Sequence, residues 1–231
     1  ALALILQTIR GNFKLSDDAE ISIEANPGTV TAESLATLRR QGFNRLSLGV
    51  QSFDDKVLAT IGRVHRAEEA ESAFRLARQA GFANIGLDLI YGLPQQTLTN
   101  WQATLERAIA LNPDHLSAYG LKLEDGTPLA AAVAGGSLPL PSEEDEEAMY
   151  DVLNEFLPLH GFERYEIANY AKPGQKCRHN RKYWRSLPFR GFGLAAHSFD
   201  GAQRFANTAD LGEYIEWSQA GLGVETVRES L

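Results

Sequence analysis

Cysteine is almost missing from this sequence: Cys177 stands alone among 231 residues. A lone thiol closes no internal disulfide, so a disulfide-stapled secreted scaffold is not expected and the composition fits a reducing cytoplasm. Also missing is any apolar run of membrane-spanning length. The opening residues 1–5 are apolar but lack the basic leader and small-residue cleavage pattern of a signal peptide, and they read as the last turns of an amphipathic helix. With no initiating methionine ahead of them, the chain is expected to be cut from a longer one. Basic residues are in deficit, 22 against 30 acidic ones for a formal net charge of −8, and no extended basic stripe occurs. A general binder of nucleic-acid phosphates is therefore not expected. The local cluster of Lys176, Arg178, Arg181, Lys182 and Arg185 suits an anionic ligand of another kind, or serves nothing specific.

What is present is an ordinary globular mixture, 44% hydrophobic and 23% charged, which can bury a sizeable core. A weak internal repeat organises it. Gly42-Phe43, Gly81-Phe82 and Gly161-Phe162 each follow a helix-like stretch and open a strand-like one. The glycines suit the left-handed position that ends a helix, and each phenylalanine can pack back onto that helix. Helical spacing recurs in Leu98, Trp101, Leu105 and Ile109, and again in Met149, Leu153, Phe156 and Leu157. The second series follows Pro141-Ser142, with Glu143, Glu144 and Asp145 at the positive end of the helix dipole. Strands are predicted over residues 21–25, 45–50, 84–91 and 115–121. The apolar run Leu87-Asp88-Leu89-Ile90-Tyr91 reads as a buried parallel strand, apart from its aspartate. Helix and strand in alternation predict an α/β fold of stacked units around a parallel sheet. After residue 125 the rhythm changes. Residues 130–136 are mostly small and read as flexible, and Leu138-Pro139-Leu140-Pro141 reads as a rigid connector. A barrel-like domain is expected over residues 1–125 and an extension packed on it over residues 126–231.

In α/β barrels, chemistry gathers at the carboxyl ends of the strands, whose following loops face a common mouth. Glu24 comes late in the first predicted strand, Gln51 follows the second, Asp88 lies inside the third, and Arg63 follows the loop Ile61-Gly62. A polar group in an apolar strand is costly unless paired. Taken singly, Glu24 and Asp88 read as structural groups satisfied by backbone or by an ion pair with Arg63. Four such residues together point to a shared ligand site. Arg63 can form a forked pair with a carboxylate, Glu24 and Asp88 can accept from an ammonium or from ribose hydroxyls, and Gln51 can do both. S-adenosylmethionine offers all these handles.

Five segments carry a family resemblance. They are Ile23-Glu24-Ala25-Asn26-Pro27, Asn44-Arg45-Leu46-Ser47-Leu48-Gly49-Val50-Gln51-Ser52-Phe53, Ile61-Gly62-Arg63-Val64-His65, Asp88-Leu89-Ile90-Tyr91-Gly92-Leu93-Pro94 and His179-Asn180-Arg181-Lys182-Tyr183-Trp184. In this order they resemble the HemN/HemW branch of the radical SAM superfamily. The resemblance implies a partial (β/α) barrel, the later four strands of a six-stranded three-quarter barrel, with a C-terminal α+β extension. It also implies that Glu24, Gln51, Arg63 and Asp88 bind S-adenosylmethionine. The Gly62-Arg63-Val64-His65 and His179–Trp184 forms are similar to HemW proteins, which are thought to bind haem and pass it to acceptor proteins. An oxygen-independent coproporphyrinogen dehydrogenase, decarboxylating propionate side chains, and a non-catalytic scaffold are the alternatives. Family members carry CxxxCxxC, whose three thiolates hold a 4Fe–4S cluster, followed by a Gly-rich segment. Neither motif is in this sequence. The chain as it stands is expected to be catalytically inactive and to hold S-adenosylmethionine weakly, and the strand edge at residues 21–25 is expected to be unpaired. Ala195 stands where relatives usually have glycine.

The late motif has its own chemistry. Imidazole is a good axial ligand for haem iron, so His179 is a candidate iron ligand; Tyr183 and Trp184 offer flat faces to a porphyrin, and Arg178, Arg181 and Lys182 can meet its propionates. The competing reading makes the two aromatics core or interface residues and His179 a hydrogen-bonded surface residue. Cys177 is an alternative iron ligand or a packing residue. His65 and His197 could line the barrel mouth, whereas His115 and His160 read as structural.

Overall fold

The computed structural model describes residues 1–230. It divides into two units, Ala1–Lys176 and Cys177–Leu231. In the first unit, helix α1 (Leu2–Asn12) precedes the short strand β1 (Ser22–Ala25), and a 3-10 turn at Pro27–Thr29 leads to α2 (Ala32–Gln41). There follow β2 (Arg45–Gln51), α3 (Asp55–Thr60), α4 (Ala67–Gln79), β3 (Asn84–Tyr91), α5 (Leu98–Ala110) and β4 (His115–Gly120). Beyond these lie α6 (Pro128–Ala134), α7 (Glu143–Leu159), β5 (Glu163–Arg164) and β6 (Asn169–Ala171). The sheet runs β1-β2-β3-β4-β6-β5, with the first four strands parallel and the last two joined antiparallel.

The four parallel strands lie where the sequence places them, to within one residue, and β1 forms the sheet edge. The glycine stops are also as read. Gly42, Gly81 and Gly161 have φ of 102°, 90° and 81°. The N–H of the following Phe43, Phe82 and Phe162 donates to Leu38, Ala77 and Leu157 at 3.2, 3.1 and 3.1 Å, closing the helix end, and all three rings are buried.

Three expectations are corrected. The third glycine repeat opens onto an antiparallel pair, because β6 docks on β4 and β5 folds back onto β6. Residues 130–136 largely belong to α6: Thr127 caps it, Pro128 takes its first turn, and alanine has the highest helix propensity. The strands are not continuously apolar. Leu46, Leu48, Val50, Ile85, Leu87, Leu89 and Leu116 are buried in the core with residues of α2, α4, α5 and α7. The other face carries Ser47, Gly49, Asp88, His115, Ser117 and Tyr119 at alternate positions. The change of rhythm near residue 125 coincides with the end of the parallel strands, whereas the compact units meet at Lys176 and Cys177.

In the second unit, α8 (Arg178–Trp184) is followed by β7 (His197–Phe199), β8 (Gln203–Asn207), α9 (Leu211–Gln219) and β9 (Glu225–Ser230). The three strands form an antiparallel sheet in the order β7-β8-β9. Ala195 takes a left-handed φ of 55°, which is the physical reason a glycine suits that position. No helix among the described residues is long and apolar enough to cross a membrane.

Candidate functional site

The polar face of the sheet gathers its groups around two small residues of β2. Ser47 stands opposite Glu24 of β1, and its hydroxyl lies 3.0 Å from each carboxylate oxygen of Asp88 on β3. Two residues on, Gly49 stands opposite Asp88 in register. Strand β2 then departs from its register with β3 between Gly49 and Gln51, and Gln51 takes a φ of 67°. A bulge of this kind re-aims the side chain at a strand end.

Arg63 reaches the same place from outside the sheet. Helix α3, capped by Asp54, ends at Gly62 with φ of 73°, and the Arg63 N–H donates back to the Leu58 carbonyl at 2.9 Å. The returning guanidinium donates to Asn26 Oδ1 at 2.5 Å and to the Gly49 carbonyl at 2.8 Å. The ion pair with Glu24 or Asp88 that the single-residue reading allows does not form, and this guanidinium nitrogen donates to two neutral oxygens instead. A methyl group on Gly49 would stand 3.0 Å from Gln51 Nε2, 3.3 Å from Asn26 Oδ1 and 3.4 Å from Arg63 Nη2. The missing side chain is therefore what lets three polar groups converge. His65, two residues past Arg63, is buried instead, with Nε2 3.1 Å from the Val50 carbonyl, so it supports the mouth rather than lining it.

Asp88 is the electrostatic centre of this face. Burial pushes its carboxyl up to about 6, the nearby Glu24 charge adds to the rise, and hydrogen bonds from Ser117 and Ser47 act in the opposite direction. Ser117 continues to Asn169 at 3.3 Å, and Asn169 donates to Glu166 at 2.9 Å, so the polar face runs into the antiparallel strands. Below it lies His115, whose Nε2 is 2.6 Å from the Tyr165 hydroxyl. Burial drives its imidazole down to about 3, with the Arg45 charge acting the same way. The ring is therefore neutral near pH 7, and its Nδ1 has no hydrogen-bond partner among the described residues.

The structure thus brings Glu24, Gln51, Arg63 and Asp88 to one mouth. Reasoning from strand ends does not select Asn26, Ser47, Ser117 or Asn169. The signal that could have found Ser47 and Ser117 is the period of two within their strands: Arg45, Ser47, Gly49 and His115, Ser117, Tyr119.

In the second unit, the sulfur of Cys177 caps α8 by accepting from the Asn180 N–H at 3.5 Å, and the residue is buried. His179 Nε2 lies 2.8 Å from the Tyr183 hydroxyl one turn on, with the rings edge to face. Tyr183 and Trp184 are each 43% exposed, so they are not core aromatics. No group of three or more His, Cys, Asp or Glu among the described residues could hold a metal ion, and one cysteine does not fit the thiolate triad of a 4Fe–4S cluster.

A family model for the radical SAM superfamily matches residues 2–108. The heme chaperone HemW of Bacillus subtilis is 41% identical over 201 residues, covering 87% of this chain and 53% of that protein. The heme chaperone HemW of Escherichia coli is 42% identical over 200 residues, covering 85% of this chain and 51% of that protein. The chain therefore spans about half the length of the curated relatives it matches. Among solved structures, coproporphyrinogen III oxidase HemN of Escherichia coli, a radical SAM enzyme, superposes with a TM-score of 0.83 at 28% identity, over 100% of this chain and 56% of that one. The six-stranded mixed sheet is accordingly a partial radical SAM barrel. Over the segment it spans, the chain belongs to the HemW family of radical SAM proteins.

Proposed function

We propose that this chain is the part of a haem chaperone that holds haem and contributes one wall of an S-adenosylmethionine site. The observation that carries the haem reading is the His179–Tyr183 pair: the HemW-like motif folds as a short helix that leaves its aromatic faces exposed and fixes an imidazole through a phenol. Hydrogen bonding to one ring nitrogen is the usual way to orient a histidine for metal ligation. Haem-accepting proteins would be the partners of the whole molecule.

For S-adenosylmethionine, the Arg63 fork suits the methionyl carboxylate or a ribose oxygen, and Glu24 and Asp88 suit the ammonium and hydroxyls. S-adenosylmethionine on a 4Fe–4S cluster supplies radical chemistry in such proteins, and the cluster ligands are not in this segment. The chain alone is thus read as a binding unit without turnover. The likeness to HemN reflects the shared barrel, at 28% identity against 41% for HemW of Bacillus subtilis.

A haemin titration followed by absorbance tests the haem reading. Saturation at one equivalent is expected for the wild type, and His179→Ala should bind at least about tenfold more weakly. Equal binding by the two proteins would take His179 out of the site. At the barrel mouth, Gly49→Ala should change stability by less than about 1 kcal/mol, since the crowded atoms are ends of side chains that can swing away. Those ends would no longer converge, so ligand-observed NMR should show the S-adenosylmethionine signal lost. An undiminished signal would mean that the ligand does not rest on Arg63 and Gln51.

A further inference from the structure

The unit starting at Cys177 holds a second feature outside the histidine motif. A pocket of about 240 Å³ opens between α8 and the β7–β8 hairpin, walled by the rings of Tyr183, Phe189 and Phe199 and bearing His197 and Arg204. Its frame is fixed. Phe189 and Phe199 exchange both backbone hydrogen bonds, at 2.8 and 3.0 Å, and Tyr183 packs edge-on against Phe189 with centroids 4.4 Å apart. Hairpin register sets Arg204 directly across from Phe199 and keeps His197 on the same face.

The polar groups of the pocket contrast with their neighbours. Arg190 and Arg228 both pair with Glu225, at 2.8 and 2.6 Å, and both cover the ring of Phe205. The Arg204 side chain has no ion pair or hydrogen bond, and the His197 imidazole has no hydrogen bond, among the described residues. A guanidinium left unpaired beside three aromatic rings presents a forked donor next to flat apolar walls.

We infer that this pocket takes the carboxylate-bearing edge of a planar conjugated ring, with the carboxylate on Arg204 and the ring edge among Tyr183, Phe189 and Phe199. The volume is too small for a whole porphyrin, since pockets for drug-sized ligands start at roughly 300 Å³. It suits one pyrrole with its propionate. Tyr183 belongs both to this wall and to the His179 hydrogen bond, so an edge seated here lies beside the candidate iron ligand. The inference rests on the haem reading and adds the group that selects the propionate.

The test uses the full chain with two probes, haemin and haemin dimethyl ester, titrated by absorbance into wild type, Arg204→Ala and Arg204→Lys. Wild type should bind the diester about tenfold more weakly than haemin, as expected for loss of one charge-assisted contact. Arg204→Ala should weaken haemin about tenfold and leave the diester unchanged, and Arg204→Lys should fall between. Saturable haemin binding that ignores both esterification and Arg204 overturns this inference and leaves the haem reading standing. Non-saturating uptake by the wild type overturns the haem reading and this inference with it. Arg204 is exposed, and the diester arm needs no substitution at all, so misfolding of a variant cannot decide the outcome.

Discussion

Replacing Trp101 with alanine is expected to remove about 4–5 kcal/mol of stability, close to the whole margin of an ordinary domain. The indole is fully buried on α5, its ring centroid 5.8 Å from that of Tyr91 at the end of β3, and its Nε1 donates to the Met149 carbonyl of α7 at 2.9 Å. One side chain therefore ties two helices and a strand together. Truncation leaves a cavity that rigid neighbours on three elements cannot close, which puts the loss at the upper end of the range for large-to-small changes. The lost hydrogen bond adds about 1 kcal/mol. Trp101→Phe keeps most of the volume and should cost about 1–2 kcal/mol. The denaturant midpoints of the three proteins check this. A fall of under about 2 kcal/mol for the alanine variant would show that α5 and α7 are held by other contacts. The same helices cover the outer face of the sheet whose inner face bears Asp88 and Ser117, so the loss should reach the site as well.

The fold is legible in the sequence where local chemistry and tertiary need agree. Each glycine stop requires a left-handed residue, and glycine is the residue that takes it freely; the phenylalanine after it is buried in all three repeats. The strand cores are legible because Leu46, Leu48 and Val50 must be apolar whatever covers them. The antiparallel end of the sheet is not. Strand β5 has two residues and β6 three, too short for any periodicity to register, and the pairing of β6 with β4 is a long-range event. Helix α6 escapes a reading that equates small residues with flexibility, because alanines behind a threonine cap and a proline start a helix readily.

The site is legible residue by residue and not as a mechanism of assembly. Residue type alone offers Arg63 an internal ion pair or a ligand's carboxylate, whereas in the structure it binds Asn26 and a backbone carbonyl. The period of two places Ser47 and Ser117 on the polar face of their strands, but a hydroxyl there does not say which group it serves. Only the sheet register shows that Ser47 sits between Glu24 and Asp88, and that Ser117 faces Asp88 from the other side. Buried hydroxyls of this kind matter because they keep a carboxylate in place while leaving its charge uncompensated.

That uncompensated charge sets the second large effect: Asp88→Asn should stabilise the chain near pH 7.5. The Asp88 carboxyl is pushed up to about 6 from an ordinary 3.8, chiefly by burial. Its ionised form is therefore penalised in the folded state above about pH 6. The penalty fades as the pH falls from about 6 and is gone below about pH 3, where folded and unfolded chains both carry the proton. A rise of this size corresponds to on the order of 3 kcal/mol, and screening at the open mouth reduces this to about 2 kcal/mol. Asparagine keeps the shape and the serine contacts without the charge, so the variant should gain about 2 kcal/mol near pH 7.5 and under about 0.5 kcal/mol near pH 4. Denaturant midpoints for both proteins at the two pH values measure the difference. A variant equal to or less stable than wild type near pH 7.5 would mean that Asp88 is ionised without strain and already paired. A cationic ligand reverses the relation, because an ammonium beside Asp88 restores the ionised form. Affinity for S-adenosylmethionine should then fall about tenfold for each pH unit below 6, and the asparagine variant should lose both the affinity and its pH dependence. The strain that lowers the stability of the empty chain is then what selects a cation at the mouth.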